Sequence, residues 1–250
     1  MSADILTARP RNGEVGCRAI SCGDCGIYQL CVPLGLEGPD AGLLESIVKR
    51  KRMYKRGEVL FNLGAPVAHI YAIRSGSVKT SIPTDDGGAQ ITGFHVPGEL
   101  LALDAISAGR YTCEARALET ASVCEVAVDR FEELASRMPV LQHELIRIMS
   151  SEILQHQELL LLLGRKTAGE RLAAYLLGLS RRFAKRGYSP VEFNLSMSRG
   201  DIGNYLGIAE ETVCRVLSRF DEEGLIAIQR RSVILKDLEA LRLVARGLAG

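Results

Sequence analysis

The chain has 250 residues, 47% of them hydrophobic, and a formal net charge of +1, so it is long enough for one large or two modest domains with apolar cores. No apolar run approaches the ~18 residues that a membrane-spanning helix needs, and the first residues lack the basic-then-apolar pattern of a signal peptide. These features argue against a membrane-spanning or secreted chain and predict a cytoplasmic protein.

The N-terminal region carries a cluster of three cysteines. Residues 1–16 are polar and show no periodicity, which predicts disorder. Cys22, Cys25 and Cys31 follow at short spacing, and thiolates are soft ligands for zinc and for iron–sulfur iron. Because C-x-x-C pairs also occur in redox dithiols, and cysteines in an arm are sometimes simply reduced, the spacing indicates a metal or cluster site without fixing which.

The next segments predict a short helix and then an all-β domain. Leu43–Val48 has helical spacing, and the basic run Lys49–Arg52 is interpreted as the solvated end of that helix, with nucleic-acid contact as the alternative. From 54 to 128 short apolar runs alternate with glycine turns, which is typical of a β-sandwich or β-roll. Arg74–Ser77 and Asp86–Gly87 are predicted hairpin turns, since glycine supplies the positive φ that such turns need.

One cysteine of this β region is a candidate fourth ligand. Cys124 lies among the predicted strands, so the fold rather than the local spacing would bring it to the N-terminal cysteines. Cys113 and Cys17 are rivals for the same role. An isolated cysteine is more often a small buried core residue, and the residues alone leave the choice open.

Two helices are predicted after the β region. Asp129 and Glu132 resemble a capping box at the start of a short helix that runs through Leu134. Val140–Leu163 has a second, longer helical pattern with two apolar faces, one suited to the β domain and one to a second copy of the chain. The face for the second copy, here called the seam, predicts a homodimer and comprises Ile146, Met149, Ile153, His156, Leu160 and Leu163. The polar His156 is expected to set the register of the pairing, with a pH switch as the alternative.

The C-terminal part of the chain is basic. From 165 to 250 it has 15 lysine and arginine residues against 10 aspartate and glutamate residues. This excess favours an anionic partner for that end of the molecule. An amphipathic helix is predicted over Thr167–Ala184, with its leucines inward and Arg181 and Arg182 outward.

A helix-turn-helix pattern follows. Ser198 is suited to cap a short helix, Gly207 makes a turn, and a second helix is predicted over 209–223. Ile226–Leu235 suits a two-stranded hairpin with a basic tip, which is the wing of a winged helix-turn-helix. The outer face of the second helix is predicted to contact bases in the major groove, the alternative being a solvated face of an ordinary helix. The predicted DNA-binding residues are Glu211, Cys214, Arg215, Ser218 and Arg219.

In this order the stretches resemble the FNR branch of the CRP/FNR transcription-regulator family. The resemblance spans roughly 17–245 and implies an α+β fold with an N-terminal arm, a cyclic-nucleotide-binding-like β-roll, a long dimerisation helix and a C-terminal winged helix-turn-helix. The boundaries expected for these parts are 1–35, 36–137, 138–164 and 165–250. The matching residues are Cys22-x2-Cys25-x5-Cys31, Tyr71–Gly76, Gln90–His95, Glu170–Ala174, Leu179–Ala184 and Arg199–Gly207.

The resemblance implies a dimer with an oxygen-labile [4Fe–4S] cluster in each subunit. The family's cluster ligands carry over to Cys22, Cys25, Cys31 and Cys124. The family also implies that the form with an intact cluster dimerises and binds DNA in the absence of oxygen. Oxygen converts and then destroys the cluster in such regulators, and nitric oxide damages it.

The resemblance further implies how DNA is recognised. The family's Glu, Ser and Arg fall on Glu211, Cys214 and Arg215, facing a TTGAT half-site and its inverted repeat. Cys214 departs from the family serine. Because a thiol is a weaker hydrogen-bonding group than a hydroxyl, recognition of one base is expected to relax. By family analogy, the turn Thr84–Gly88 contacts RNA polymerase.

Other functions compete with this interpretation. Family relatives that bind cyclic nucleotides use a glutamate for the ribose and an Arg-Ser pair for the phosphate. In the segment after Glu99, an apolar residue stands where those relatives have the ribose-binding glutamate, and no Arg-Ser pair follows. No cyclic nucleotide is therefore expected. A zinc- or small-effector-binding regulator is the alternative. A redox enzyme is disfavoured because no nucleotide-binding glycine motif is present, and the chain is predicted not to be an enzyme.

Overall fold

The computed structural model describes residues 47–248 of the chain. Several segments discussed above lie outside the described residues. These are the predicted disordered segment 1–16, most of the predicted helix Leu43–Val48, and the cysteines Cys17, Cys22, Cys25 and Cys31.

Two four-stranded antiparallel sheets form a β-roll, as the glycine-punctuated apolar runs predict. The first sheet contains, in spatial order, β1 (Val48–Tyr54), β8 (Ala121–Ala127), β3 (His69–Ser75) and β6 (Leu100–Leu101). The second contains β2 (Val59–Phe61), β7 (Glu114–Ala117), β4 (Val78–Pro83) and β5 (Ala89–His95). A short helix, α1 (Ala105–Ala108), lies between β6 and β7 in the chain.

The inner faces of the two sheets share one apolar core. Its members include Tyr71 and Ile73 from β3, Val78 from β4 and Val123 from β8, all at most 5% exposed. Every residue of β8 is buried, because its inner face lines this core and its outer face is covered by helices. The strand is therefore buried on both faces, including its polar residues Ser122 and Glu125, whereas a strand with one wet face would alternate between buried and exposed residues.

Two helices cover the outer face of the first sheet. They are α2 (Val128–Arg137) and the 27-residue α3 (Pro139–Arg165). Phe131 and Leu134 of α2 pack with Leu141 of α3 against Ile70 and Val126 of the sheet. This packing fixes the N-terminal half of α3 on the roll and confirms the long helix predicted after Pro139.

The C-terminal part is a winged helix-turn-helix, again as predicted. Its three-stranded sheet has the order β10–β11–β9, and its helices enclose a core that includes Leu172, Ile202, Val213 and Phe220, all fully buried. The elements in chain order are α4 (Ala168–Ala184), β9 (Glu192–Asn194), α5 (Arg199–Leu206), α6 (Glu210–Glu222), β10 (Ile226–Gln229), β11 (Ser232–Leu235) and α7 (Leu238–Arg246).

The basic run Lys49–Arg52 is not the end of a helix, as the sequence had predicted, but part of strand β1. The strand pairs antiparallel with β8, where Lys51 lies opposite Cys124. Charge and local spacing favoured a solvated helix end. Pairing with a strand some 70 residues later in the chain decides the outcome instead.

Two other local predictions were also wrong. Arg74–Ser77 is not a hairpin turn, because β3 and β4 belong to different sheets and this turn crosses between them. Gly76 has φ +78°, and a Cβ atom there would lie 2.5 Å from the carbonyl oxygen of Thr120, so the crossing requires glycine. The helix after β8 starts at an N-cap Ala127 without a side-chain cap, so Asp129 acts only as a first-turn carboxylate near the positive helix end.

Candidate DNA-binding site and its connection to the β-roll

The helix-turn-helix is set by local hydrogen bonds. Ser198 caps α5 by accepting from the Asp201 N–H at 3.0 Å, and the Asp201 carboxylate accepts in return from the Ser198 N–H at 3.0 Å. This reciprocal pair is a capping box. Gly207 ends the helix with φ +62°, which turns the chain into α6. Ile202 and Leu206 are buried beneath the turn, as their spacing predicts.

The outer face of α6 is open to solvent. Its inner face buries Val213, Val216, Leu217 and Phe220, so the residues between them point away from the domain. The predicted DNA-binding residues Glu211, Cys214, Arg215, Ser218 and Arg219 are all exposed on this outer side. An exposed helix face with a carboxylate and guanidinium groups offers donors and acceptors for base edges in a major groove.

Arg219 has partners along its own helix and at the residue that caps it. Its Nε lies 3.7 Å from Oε1 of Glu223, and its guanidinium lies 5.5 Å from the ring centre of Phe220. These contacts direct the side chain along the helix. Arg215 lies one turn earlier on the same face.

The wing is joined to the start of α5 by an arginine that the sequence analysis did not single out. Gln229 pairs with Ser232 across the tip, and Arg230 has φ +56°, so the two-residue turn bends sharply. Arg199 donates from Nη2 to the Arg230 carbonyl oxygen at 3.1 Å. The basic tip is thereby held beside the N-terminus of α5.

The seam of α3 is an exposed apolar stripe. Ile146 is 63% exposed, Ile153 58% and Leu160 71%, and Met149 and His156 are exposed between them. Leu163, at the end of the seam, is half-buried. Large apolar side chains aligned on one helix face in this way mark a surface for a partner.

Cys124 lies on the outer face of β8, close in register to the start of the described chain. Side chains alternate along a strand, and Val123 faces the inner core whereas Val126 packs outward with Ile47. Cys124, two positions before Val126, lies on the same outer face and is 7% exposed.

Cys113 lies in a different environment from Cys124. It packs against the inner core of the roll, and burial together with nearby Asp104 raises the pKa of its thiol to about 11. A raised pKa disfavours the thiolate form that binds metals. Within residues 47–248 no group of three or more His, Cys, Asp or Glu side chains is arranged to hold a metal ion.

Apolar contacts join the winged helix-turn-helix to the roll. Phe94 of β5 lies 6.1 Å from Tyr175 of α4 and 5.2 Å from Tyr205 of α5, measured between ring centres, and the two tyrosines are 5.8 Å apart. Ile91 and Leu118 of the roll belong to the same buried cluster as the core of the helix-turn-helix. The two parts therefore share one apolar core.

Polar contacts add to this interface at α5. Lys79 of β4 pairs with Asp201 at 2.6 Å. The side-chain amide of Asn204 accepts from the Ile91 N–H at 2.6 Å and donates to the Ala89 carbonyl oxygen at 2.8 Å. Both partners of Asn204 are backbone groups of strand β5.

Arg182 was predicted to point outward but faces the roll. Its guanidinium donates to both carboxylate oxygens of Glu99, at 2.9 and 2.6 Å, and Arg186 donates to the same carboxylate at 2.8 Å. Burial alone would raise the pKa of Glu99, but the two arginines outweigh it and the pKa lies below its ordinary value. The amphipathic pattern of α4 gave no sign of a buried acidic partner more than 80 positions earlier in the chain.

A cavity of about 730 Å³ lies between the roll, α3 and α4. Titratable groups line it, among them His95, Glu99, Asp104, Glu152 and His156. Burial lowers the pKa of His95 to about 4 and raises that of Glu152 to about 7. Ala102, which lines the same cavity, is a non-glycine residue at φ +68°, a conformation that an L-residue adopts only with strain.

Sequence reasoning missed the residues that join the two parts of the molecule. Lys79, Glu99 and Asn204 contact partners between 83 and 122 positions away. Helical spacing places Arg182 and Arg186 on one face, which is the one signal that could have indicated a shared anionic partner. No helix among the described residues is long and apolar enough to cross a membrane.

A β-roll joined through a long helix to a winged helix-turn-helix defines a DNA-binding transcription regulator. Residues 51–138 match the cyclic nucleotide-binding domain model, and residues 170–244 match the Crp-like helix-turn-helix domain model. The structure of FixK2 from Bradyrhizobium japonicum is similar, with a TM-score of 0.72 and 30% identity over 78% of this chain and 96% of that one.

Curated relatives give the family. The fumarate and nitrate reduction regulatory proteins of Escherichia coli (strain K12) and Salmonella typhimurium are each 45% identical to this chain over 230 residues, covering 92% of either sequence. The chain belongs to the CRP/FNR family of transcription regulators. Membership confirms the predicted fold class and implies DNA binding and dimerisation, and it favours a regulator over an enzyme.

The low pKa of His95 predicts that the contribution of this residue to protein stability is lost in mild acid. The unfolded chain binds a proton near pH 6.5, whereas the folded imidazole resists it until about pH 4. The contribution of His95 to stability is therefore fully present above pH 6.5 and is lost as pH falls towards 4, by on the order of 2–3 kcal/mol, whereas the raised pKa of Glu152 contributes with the opposite sign over the same range. Urea unfolding across this range measures the loss.

The matched variants are His95→Gln and His143→Gln. Glutamine does not titrate, so the first variant should flatten the acid limb of the stability curve. His143 is exposed on α3, and its replacement should leave the limb unchanged. An acid limb that persists in His95→Gln would assign it to other groups facing His95, namely Glu99, Asp104 and His156.

Proposed function

We propose that the chain is an oxygen-responsive transcription regulator in which a [4Fe–4S] cluster promotes dimerisation and binding to a TTGAT-type inverted repeat. The observation that carries the proposal is 45% identity, over 92% of the chain, to fumarate and nitrate reduction regulatory proteins. In this proposal the cluster is intact without oxygen, and oxygen destroys it and inactivates the regulator.

The proposed cluster ligands are Cys22, Cys25, Cys31 and Cys124. Position supports Cys124, because it lies on the outer face of β8, the face on which Val126 packs with Ile47. A thiol there can meet an arm that precedes β1, whereas Cys113 lies across the sheet with a raised pKa. When bound, the cluster supplies an oxygen-labile link between the arm and the roll. Four thiolates are the ligand set that such clusters use.

The proposed dimer interface is the seam, from Ile146 to Leu163. Exposure supports it, because Ile146, Ile153 and Leu160 are each more than half exposed. The opposite face of α3 packs Leu145 and Ile148 against α2 and the first sheet. An arm tied to β8 would act on the same packed layer. In this proposal, the dimer affinity of the seam therefore differs between the form with the cluster and the form without it.

The proposed DNA contacts lie on α6 and the wing. Arg215 suits the O6 and N7 atoms of guanine, and Glu211 suits the N4 amino group of cytosine. Cys214, Ser218 and Arg219 complete the proposed base-contacting face. The basic tip of the wing is proposed to contact phosphates, which position the protein without selecting sequence.

Further partners follow from the family. The turn Thr84–Gly88, where the Gly88 N–H donates to the Asp86 carboxylate at 3.0 Å, is the proposed contact for RNA polymerase. No cyclic nucleotide is expected at the roll, and the protein is proposed to act in the cytoplasm. The proposed parts are an arm over 1–35, a roll over 36–137, a dimerisation helix over 138–164 and a DNA-binding domain over 165–250. The relatives favour this function over a zinc- or effector-binding regulator.

Metal analysis tests the cluster. Protein purified without oxygen is expected to contain about four iron and four acid-labile sulfide atoms per chain, both falling after brief exposure to air. Cys124→Ser should lower both contents, because a serine hydroxyl does not supply a thiolate. Cys113→Ser is the matched control and should retain them. Zinc without sulfide would remove oxygen as the signal while leaving the DNA-binding function intact.

A charge at the centre of the seam tests the dimer interface. Ile153→Glu is expected to leave the iron content unchanged and to abolish both dimerisation and DNA binding, because pairing would bury two unpaired carboxylates. Sedimentation and anaerobic DNA binding measure these effects. Leu243→Glu, at a leucine of α7 that is 46% exposed, is the control. Binding of normal strength by Ile153→Glu would place the dimer interface elsewhere.

Two arginine variants separate base recognition from phosphate contact. Arg215→Ala should cost ~1–3 kcal/mol and relax specificity at the guanine of the half-site. Arg231→Ala should weaken binding uniformly across sequences and reduce the salt dependence by about one counterion. Binding to a set of single-base operator variants at several salt concentrations distinguishes the two. A uniform loss with Arg215→Ala would contradict its base-contacting role.

A further inference from the structure

Strand β5 is one of the two edge strands of the second sheet, and a helix of the DNA-binding domain covers it. β5 ends the strand order of its sheet, so its outward N–H and C=O groups face away from β4. Asn204 supplies partners for two of them, the Ile91 N–H at 2.6 Å and the Ala89 carbonyl oxygen at 2.8 Å. In return, the Gln90 side-chain amide donates to the Asn204 carbonyl oxygen at 2.9 Å. One residue thus makes hydrogen bonds of the kind that a further strand would make.

A second contact holds the same helix one turn away. Lys79 of β4 pairs with Asp201 at 2.6 Å, and both side chains are less than a quarter exposed. Asp201 and Asn204 are three positions apart, so they lie on one face of α5. Two anchors on one face fix the direction of the helix as well as its position.

The third attachment of the helix-turn-helix lies near the end of α3. Arg171 of α4 donates to the carbonyl oxygens of Leu163 at 2.8 Å and of Leu206 at 2.8 Å. It therefore joins the C-terminal turn of α3 to the C-terminus of α5. If the hydrogen bonds of Asn204 at β5 were lost, this junction and the packing of Phe94 on Tyr205 would remain, so the domain would stay attached and only the orientation of α5 would be released.

The contact with β5 leaves the DNA-binding face free. Asn204 and Asp201 lie on α5, whereas the predicted base-contacting residues Glu211, Cys214 and Arg215 are exposed on α6. Protection of an edge strand would need only a covering helix or loop. Here the cover is the first helix of the helix-turn-helix, fixed by a paired amide and an ion pair. Because α6 follows α5 after the turn at Gly207 and packs with it in one core, contacts that orient α5 also orient α6.

We propose that Asn204 is a positioning residue for DNA recognition, which fastens α5 to the edge of the β-roll and so fixes the direction in which α6 faces DNA. The proposal rests on the proposed function, in which two copies bind an inverted repeat. In a dimer joined at the seam, each α6 is held in a fixed orientation to the roll of its own chain. The distance between the two α6 helices is then fixed as well. A fixed separation demands a fixed spacing of half-sites.

The test measures spacing preference as well as affinity. Wild-type protein, Asn204→Ala and the control Asn194→Ala are compared as full-length, anaerobically purified chains. Asn194 is an exposed amide on β9 of the same domain. The DNA set contains the TTGAT inverted repeat, repeats with the half-sites moved by one and two base pairs in either direction, and a single half-site. Iron content and dimerisation are measured alongside.

Asn204→Ala is expected to bind the best repeat about tenfold more weakly, to discriminate less between spacings, and to bind the single half-site as wild type does. Hydrogen exchange at the Ile91 amide should accelerate, because its acceptor is lost. Unchanged affinity and spacing preference would overturn the proposal. Tighter binding would also overturn it, because the contact would then oppose DNA binding. An equal loss on the single half-site would assign Asn204 to folding of the domain.

Failure of the proposed function has a different signature. If wild-type protein ignores TTGAT repeats in every state, the proposed operator is wrong. The same spacing series is then built on half-sites that the wild-type protein selects from random DNA. Loss of spacing preference in Asn204→Ala on those sites supports the positioning role, and retained preference overturns it.

Discussion

The molecule depends on the burial of strand β5 against the DNA-binding domain. Phe94, 4% exposed, packs between Tyr175 and Tyr205, and contacts of this kind contribute about 0.5–1.5 kcal/mol per pair beyond their area. The hydroxyl of Tyr175 has no hydrogen-bond partner among the described residues, a cost of about 1–3 kcal/mol that the packing outweighs. Domains joined through an apolar interface move together, so the orientation of α6 is a property of the whole chain.

Charge makes this interface specific. Glu99 sits between Arg182 and Arg186, and its carboxylate also accepts from the Val96 N–H at 3.0 Å. Desolvating three charges is expensive, and the ion pairs compensate only because the geometry satisfies the carboxylate fully. Removal of Glu99 would leave the guanidinium groups of Arg182 and Arg186 without their carboxylate partner. The turn before β6 and the end of α4 therefore have a single favourable arrangement, whereas an apolar contact alone would tolerate sliding.

The long helix α3 links this interface to the outer face of the first sheet of the roll. One face packs Leu145 and Ile148 against the layer that contains Val126 and Ile47, and the other exposes the seam. Cys124 belongs to the same outer face of β8. A change at that face can therefore reach the seam through side chains in direct contact, and the seam reaches DNA through the shared core of β5 and the helix-turn-helix.

The sequence by itself determined the elements whose signals are local: the β-roll from glycine-spaced apolar runs, α3 from its two apolar faces, and the capped helix-turn-helix from Ser198 and Gly207. It also identified the family through motifs along the chain. Only the tertiary structure decided that Lys49–Arg52 is a strand, that Cys124 faces outward and that Arg182 and Asn204 hold the two parts together. Helical and strand periodicity depends on neighbours a few positions away, whereas these outcomes depend on partners 70 or more positions distant, which no local pattern encodes.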